Sequence, residues 1–236
     1  IHFLLEHWKK TDKLNGNQFI ATTIVSTPML KKMSAEYNVI FKETLTGFKW
    51  ISKLIKDFPN LEFIAGGEES YGYLIGDKVR DKDAVAAALL ICEIENQMRN
   101  IGKSTYGLLV ECYKKYGAYK ERLISFVKEG KKGVNEIQMK MNNLRNSPPK
   151  FIAGIPVIQI KDYKKGFSLN LLNESKTKLN LPKSNVITFI LEDNSKISVR
   201  PSGTEPKIKF YFSVNQPFIQ DKKWKTIEKQ MDKKID

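Results

Sequence analysis

The sequence predicts a two-domain protein: an α/β domain with an open, mostly parallel sheet, followed by an α+β domain with an antiparallel sheet and flanking helices. In the first half, strand-like apolar runs alternate with helical patterns, the order in which parallel sheets are built. In the second half, strand-like runs cluster together between two helical patterns, which is typical of α+β domains. The 236 residues are enough for two modest domains, which we expect over residues 1–118 and 119–236.

The first half contains three strand-like runs separated by helical patterns. Thr27 and Pro28 suit a helix start, because Thr caps helices well and Pro fits the first helical position. Gly117 is a natural stop for the last helix of this half. Strands are expected over 19–26, 39–42 and 61–65, and helices over 27–37, 48–58, 83–98 and 105–116.

The second half contains more strands than helices. Asp193-Asn194 is a turn signal that joins two of these strands as a hairpin. Strands are expected over 123–127, 155–160, 186–191, 197–199 and 207–214, and helices over 134–144 and 221–231.

Composition narrows the class of protein. Hydrophobic residues make up 41% and charged residues 28%, the profile of a globular chain with a core. The net charge of +14 could serve nucleic-acid binding, but lysines are scattered and interrupted by acids, which favours solvated faces. No apolar run reaches membrane-span length. Cys92 and Cys112 lack metal-ligand spacing. The chain does not begin with Met, so we expect its natural start to have been removed.

A glycine-rich acidic loop, residues 66–72, follows the third predicted strand. Ligands of open α/β sheets bind at the carboxyl ends of strands. Glycines allow the backbone to turn sharply and approach a ligand closely. Glu68 and Ser70 could together accept from and donate to vicinal sugar hydroxyls. An acidic surface turn is the alternative interpretation.

A second loop, residues 200–206, lies between two predicted strands. Arginine offers a planar fork that matches phosphate oxygens. Hydroxyls and backbone N–H groups around a glycine can form an anion nest. Lys207 and Lys209 are two residues apart and are expected on one strand face. The candidate phosphate-binding residues are Arg200, Ser202, Gly203, Thr204 and Lys209. The alternative is an ordinary hairpin with a polar turn.

Four strings in order carry a family resemblance. Gly67-Glu68-Glu69-Ser70-Tyr71-Gly72 resembles the sugar-binding loop of the third domain of α-D-phosphohexomutases, the phosphoglucomutase/phosphomannomutase family. Arg200-Pro201-Ser202-Gly203-Thr204-Glu205-Pro206 resembles the phosphate-binding loop of their fourth domain. Thr46-Gly47-Phe48-Lys49 and Arg80-Asp81-Lys82-Asp83 are similar to further family strings.

The resemblance implies interconversion of hexose 1-phosphate and hexose 6-phosphate through a bisphosphate intermediate such as glucose 1,6-bisphosphate. Lys82 is the implied proton-transfer residue, and Lys49 could approach the substrate or the phosphoserine. Both could instead be exposed lysines at helix starts. The phosphoserine and Mg²⁺-binding strings of the first and second domains do not occur in this sequence. We therefore expect this chain to bind no metal and to be inactive alone.

Other expectations complete this interpretation. The expected partners are a hexose phosphate and the missing N-terminal domains of the same polypeptide, in the cytoplasm. A non-catalytic sugar-phosphate-binding module and a basic nucleic-acid-binding protein remain alternatives, as do pentose-phosphate and amino-sugar-phosphate substrates. The opening helix of the third domain could be lacking, and His2 and His7 are expected to be incidental surface residues.

Overall fold

The protein is described here from a computed structural model that covers residues 1–203, 205–219 and 223–236. Contacts between Cα atoms divide the chain into two compact units. Unit 1 comprises Ile1–Ala118 with Pro217–Ile227, and unit 2 comprises Tyr119–Gln216 with Glu228–Asp236.

Unit 1 is built on a four-stranded sheet with helices between the strands. Its elements are α1 (His2–Lys10), β1 (Gln18–Thr23), α2 (Met29–Glu36), β2 (Ile40–Thr44), α3 (Phe48–Asp57), β3 (Glu62–Gly67), β4 (Tyr73–Ile75), α4 (Ala84–Asn100) and α5 (Thr105–Tyr116). The strand order is β2-β1-β3-β4. β1 pairs in parallel with β2 and β3, whereas β4 runs antiparallel to β3. The predicted mostly parallel sheet is thus confirmed.

The central strand of unit 1 positions the loops at its edge. Every residue of β1 is buried. The strand lies between β2 and β3, and both of its faces are covered, as is typical of a central parallel strand. Phe19 packs against Phe63 of β3, with ring centroids 5.2 Å apart. Phe48 and Ile51 of α3 join the same core. The carboxyl ends of β1 and β3 are therefore held in a fixed register.

The helix boundaries of unit 1 follow from local capping. The Asp83 carboxylate accepts from the Ala86 N–H at 3.0 Å, and the Ser104 hydroxyl accepts from the Gly107 N–H at 3.1 Å, so both side chains cap their helices. The predicted start of α2 at Thr27 and Pro28 is confirmed. The Thr27 hydroxyl accepts from the Met29 N–H at 3.4 Å, and Pro28 has helical φ and ψ.

The sequence patterns do not predict α1, which nevertheless forms and buries Leu4 and Leu5. The expectation for His2 is wrong, because its ring lies edge-on to Tyr37 and Tyr116, with centroids 6.1 and 5.9 Å away. Burial lowers the pKa of His2 below its ordinary value. His7 is exposed, as expected.

Unit 2 is built on an antiparallel sheet. The elements from residue 118 onward are β5 (Ala118–Val127), α6 (Gly130–Asn146), β6 (Phe151–Ile152), β7 (Ile155–Asp162), β8 (Phe167–Asn170), β9 (Lys176–Lys178), β10 (Ile187–Leu191), β11 (Lys196–Pro201), β12 (Lys207–Gln216) and α7 (Trp224–Ile235). The strand order is β5-β12-β11-β10-β7-β8-β9, and β6 pairs with β7. The predicted antiparallel sheet with helices is confirmed. The predicted start of the last helix, Asp221, lies outside the described residues.

A buried ion pair lies beneath this sheet. The side chains of Arg145 on α6 and Asp162 on β7 are each only 4% exposed, with 3.3 Å between Nε and Oδ1. Arg145 also donates to the Asn185 side chain at 2.5 Å. Asp162 accepts from the backbone N–H groups of Lys164 and Lys165 at 3.0 and 3.1 Å. Both charges are therefore compensated by hydrogen bonds, the condition under which burial of an ion pair is tolerated.

The outer strands of the sheet are less buried. β9, at one edge, has the sequence Lys176-Thr177-Lys178, and all three residues are exposed. The Lys176 ammonium lies 4.0 Å from the ring centroid of Phe167 on β8, which anchors the strand by a cation–π contact. In the part of the chain that the structure describes, we find no helix with the length and apolar character needed to span a bilayer.

Candidate functional site

The acidic loop begins where β3 ends in two glycines. A Cβ added at Gly66 would lie 2.8 Å from the carbonyl oxygen of Ala21 on β1, closer than any real Cβ approaches. A Cβ at Gly67 would lie 2.8 Å from the Tyr73 ring. The close approach of β1, β3 and β4 thus requires glycine at the start of this loop.

Glu68 is fixed by the backbone rather than left in solvent. Its N–H donates to the Gly72 carbonyl at 2.8 Å, which closes the loop. Its carboxylate oxygen Oε1 accepts from the Gly47 N–H at 2.8 Å. Gly47 has a φ of +114°, a conformation that favours glycine. The Thr46-Gly47 turn therefore holds one carboxylate oxygen of Glu68.

Lys82 shares this corner of unit 1 with Glu68. A Cβ added at Gly72 would lie 2.7 Å from Cδ of Lys82 and 3.1 Å from Oε2 of Glu68, so both side chains pass close to Gly72. The Lys82 ammonium is 3.1 Å from Oδ1 of Asp81 and 5.6 Å from the ring centroid of Phe48. The side chain is 51% exposed. The structure thus brings two of the predicted residues close to Gly72, the Glu68 carboxylate and the aliphatic stem of Lys82.

Asp81 is a neighbour of Lys82 that the sequence analysis does not select. Hydrogen bonds from the Lys82 backbone N–H and then from its side chain hold the pKa of Asp81 below its ordinary value. Asp81 therefore stays ionised and gives the Lys82 ammonium an anionic neighbour.

Lys49 and Ser70, the other two residues predicted for unit 1, form no hydrogen bond with Glu68 or Lys82 among the described residues. Lys49 is exposed, and its ammonium lies 5.4 Å from the Trp50 ring centroid. Ser70 is exposed in the loop. The neighbouring carboxylate of Glu69, which the sequence analysis does not select, accepts from the Thr23 hydroxyl at 2.9 Å. Glu68 therefore binds the Gly47 N–H, whereas Glu69 binds the Thr23 hydroxyl. Because both partners are distant in sequence, no local pattern predicts these contacts.

The second loop joins β11 to β12. The Ser202 N–H donates to the Lys207 carbonyl at 2.7 Å and closes the turn. The Lys207 ammonium lies 3.2 Å from the Glu205 carboxylate, so its charge is already paired. Gly203 is exposed, and a Cβ there would meet no atom within 4 Å. Thr204, also predicted for this site, lies outside the described residues.

Two cations face each other at the base of this loop. Arg200 on β11 is the direct partner of Lys209 on β12 in the antiparallel ladder. Opposite residues of an antiparallel pair lie on one face with Cβ atoms about 4.5–5.5 Å apart. Such an arrangement can accommodate an anion.

A metal site in this chain would need several His, Cys, Asp or Glu side chains close together. Across residues 1–203, 205–219 and 223–236, no three His, Cys, Asp or Glu side chains are grouped so that they could hold a metal ion.

The sequence of this chain is similar to those of known phosphoglucomutases. A family model described as phosphoglucomutase/phosphomannomutase, α/β/α domain III, matches residues 1–116. Phosphoglucomutase of Staphylococcus haemolyticus is 37% identical over 91% of this chain. Phosphoglucomutases of S. epidermidis and S. aureus are 37% identical over 88% and 87% of it. The chain spans about 38% of the length of these curated relatives.

A solved structure supports the fold independently. The phosphoprotein pp63/parafusin, a phosphoglucomutase from Paramecium in its open form, matches 90% of this chain and 36% of its own length. The TM-score is 0.61 at 19% sequence identity, a likeness of fold. The sequence matches show that this chain belongs to the phosphoglucomutase/phosphomannomutase family and that its residues 1–116 match the model of the family's domain III.

Proposed function

We propose that this chain is the C-terminal part of a phosphohexomutase, comprising its third and fourth domains, which interconverts hexose 1-phosphate and hexose 6-phosphate through a bisphosphate. Residues 1–118 bind the sugar hydroxyls, and residues 119–236 bind the phosphate that is not being transferred. Family membership supports the reaction class. The placement of charge on the two loops supports the division of roles.

The single observation that carries the phosphate site is the pairing of Arg200 with Lys209 across β11 and β12. A dianion can accept hydrogen bonds from both the guanidinium and the ammonium, because opposite residues of an antiparallel pair lie on one face of the sheet. The exposed backbone at Gly203 and the nearby hydroxyl of Ser202 can add hydrogen bonds, and Thr204 completes the proposed set.

In the sugar site, Glu68 and Ser70 bind hydroxyl groups. One carboxylate oxygen of Glu68 is held by Gly47, which leaves the other oxygen to accept from a sugar hydroxyl. Lys49 reaches the substrate from the start of α3. These contacts orient the ring without taking part in bond breaking.

Lys82 is the proposed proton-transfer residue. Its stem is guided along Gly72, while its ammonium remains half-exposed beside the ionised Asp81. Phosphoryl transfer depends mainly on positioning and charge stabilisation, but the sugar hydroxyl's proton must still be moved. The Lys82 ammonium can donate a proton to a sugar oxygen that Glu68 orients, and the neutral amine that remains can accept a proton back.

The remaining requirements lie outside this chain. A phosphoserine and Mg²⁺ belong, on this proposal, to other domains of the same cytoplasmic polypeptide, and glucose 1,6-bisphosphate is the intermediate. When bound, Mg²⁺ would neutralise charge on the transferred group. The described residues of this chain do not supply ligands for it.

The proposal is tested by binding of glucose 1,6-bisphosphate to the 236-residue chain at physiological salt, measured by calorimetry. Arg200→Ala should weaken binding about 10- to 150-fold, because a charge-assisted hydrogen bond contributes about 1.5–3 kcal/mol. Lys183→Ala is the matched control: it removes one positive charge from an exposed site in the same unit and should leave the affinity unchanged.

Equal losses in the two variants would refute a specific phosphate site. Tighter binding of duplex DNA than of the bisphosphate would favour a nucleic-acid-binding protein. A coupled mutase assay with Mg²⁺ completes the test, and the chain alone should show no turnover. Bisphosphate binding by a full-length polypeptide that has no mutase activity would instead identify a non-catalytic sugar-phosphate module.

A further inference from the structure

The outer face of α4 is apolar and exposed. Among the 17 residues of this helix, the buried one is Ile94. The opposite side exposes Val85 by 82% and Leu89 by 72%, and Cys92 is also exposed. We call Val85, Leu89 and Cys92, which are spaced by four and three residues and share one face, the α4 stripe.

This pattern differs from that of an ordinary surface helix. A surface helix has an apolar face toward the core and charged residues outside, whereas a helix that is apolar all round is normally buried. Residues 84–92 contain no charged or strongly polar side chain. The inner side already packs through Ile94, so burial within unit 1 does not account for the stripe. An exposed contiguous apolar surface of this kind marks an interaction site.

We propose that the α4 stripe is the docking surface for the remainder of the full-length polypeptide, the part of the family protein that this chain does not cover. The inference rests on the proposed function. More than half of the length of the curated relatives lies outside the match. The proposed site also lacks a phosphoryl donor, which must come from that remainder.

The position of Lys82 favours this occupant. Lys82 lies two residues before the first residue of α4. A group that exchanges a proton in the reaction must come within hydrogen-bond reach of its partner. The segment that brings the phosphoryl donor to Lys82 therefore also reaches the first turns of α4, where Val85 and Leu89 are exposed. A second copy of this chain would cover the stripe but would bring no group that the site lacks.

Cys92 provides a natural probe of the stripe. In the 236-residue chain, Cys92 is exposed and Cys112 is only 4% exposed. Modification by a small maleimide, counted by mass spectrometry after proteolysis, should therefore be fast at Cys92 and slow at Cys112. In the full-length polypeptide, Cys92 should react about 100-fold more slowly, because modification would then require local opening of the interface.

The results that overturn the proposal are specific. Equal Cys92 rates in the full-length polypeptide and in the 236-residue chain would show that the stripe stays uncovered. Protection of Cys92 in the 236-residue chain that increases with its concentration would identify a second copy as the occupant instead.

A variant pair gives a second readout in the full-length polypeptide. Leu89→Lys should restore fast labelling of Cys92, because a charge cannot be buried in an apolar contact without a partner. Ile101→Lys is the control: Ile101 is 59% exposed and lies just past the end of α4, so Cys92 should stay protected. Circular dichroism of both variants checks that they fold. Comparable labelling of Cys92 in the two variants would refute the proposal.

Failure of this inference can be distinguished from failure of the proposed function. Mutase activity in a full-length polypeptide whose Cys92 reacts freely would overturn the docking surface alone. Protection of Cys92 in a full-length polypeptide without mutase activity would support the docking surface and overturn the proposed function.

Discussion

Replacement of Gly72 by alanine tests whether the position of Lys82 matters for turnover. The added Cβ would lie 2.7 Å from Cδ and 3.0 Å from Cγ of Lys82. The φ of Gly72 does not fall in the left-handed region, so alanine introduces no backbone strain there. The two nearest atoms belong to the flexible, half-exposed Lys82 side chain, which can move away, and the third is Oε2 of Glu68 at 3.1 Å.

The expected magnitudes differ for stability and for activity. Ordinary van der Waals contact begins near 3.4 Å, so the Lys82 stem must shift by several tenths of an ångström or more. This shift should cost less than about 1 kcal/mol of unfolding free energy, the low end for added core volume. A displacement near 1 Å in a catalytic group can lower turnover by about 100-fold. We expect Gly72→Ala to lower kcat of the full-length enzyme strongly while its unfolding free energy changes little.

The measurement pairs a coupled mutase assay with urea unfolding, and two glycine variants serve as controls. Gly107→Ala, on α5, should leave both turnover and stability little changed, because its Cβ would make only an ordinary contact, 3.6 Å from Oγ of Ser104. Gly66→Ala should destabilise unit 1 by about 1–3 kcal/mol, because its Cβ would meet the Ala21 carbonyl, which cannot move freely. Full activity of a folded Gly72→Ala enzyme would refute the role assigned to Lys82.

Three further predictions concern single side chains. Glu68→Gln should lower turnover about 10-fold or more through loss of a charged hydrogen-bond acceptor, but competitive inhibition by inorganic phosphate should persist; weakened phosphate inhibition would contradict the separate roles. Asp162→Ala leaves the buried Arg145 guanidinium without its carboxylate and should cost about 3–5 kcal/mol. The loss should appear as a lower urea midpoint, measured by circular dichroism, than that of the unsubstituted chain; an unchanged midpoint would contradict it. Burial raises the pKa of the Cys112 thiol from its ordinary value of 9.0 to about 11. The unfolded thiol ionises first, so stability should fall between those pH values, and it should fall less steeply in Cys112→Ala.

Features set by local chemistry could be predicted from the sequence. The fold class is confirmed, because strand and helix periodicity report directly on burial. The hairpin at Asp193-Asn194 forms as predicted, with Asn194 at a φ of +64°. Gly117 ends α5 at a φ of +95°, as its position predicted. In each case, one residue type satisfies a local backbone requirement.

Features set by distant contacts could not be predicted. β4 has three residues and is defined by its pairing with β3 rather than by its own pattern. The bond between Glu68 and the Gly47 N–H joins two loops 21 residues apart in sequence. The opposition of Arg200 and Lys209 depends on strand register, which a one-residue slip would have changed. The candidate residues were identifiable, whereas their arrangement required the fold.

The lysines of β9 affect how two folded copies of this protein can associate through their sheets. An outer strand offers unpaired backbone groups to any extended chain that approaches it. At this edge, an incoming strand would have to align beside Lys176 and Lys178, and two such edges would repel each other. Two folded copies that approach each other through this edge therefore repel, which opposes the joining of their sheets into one.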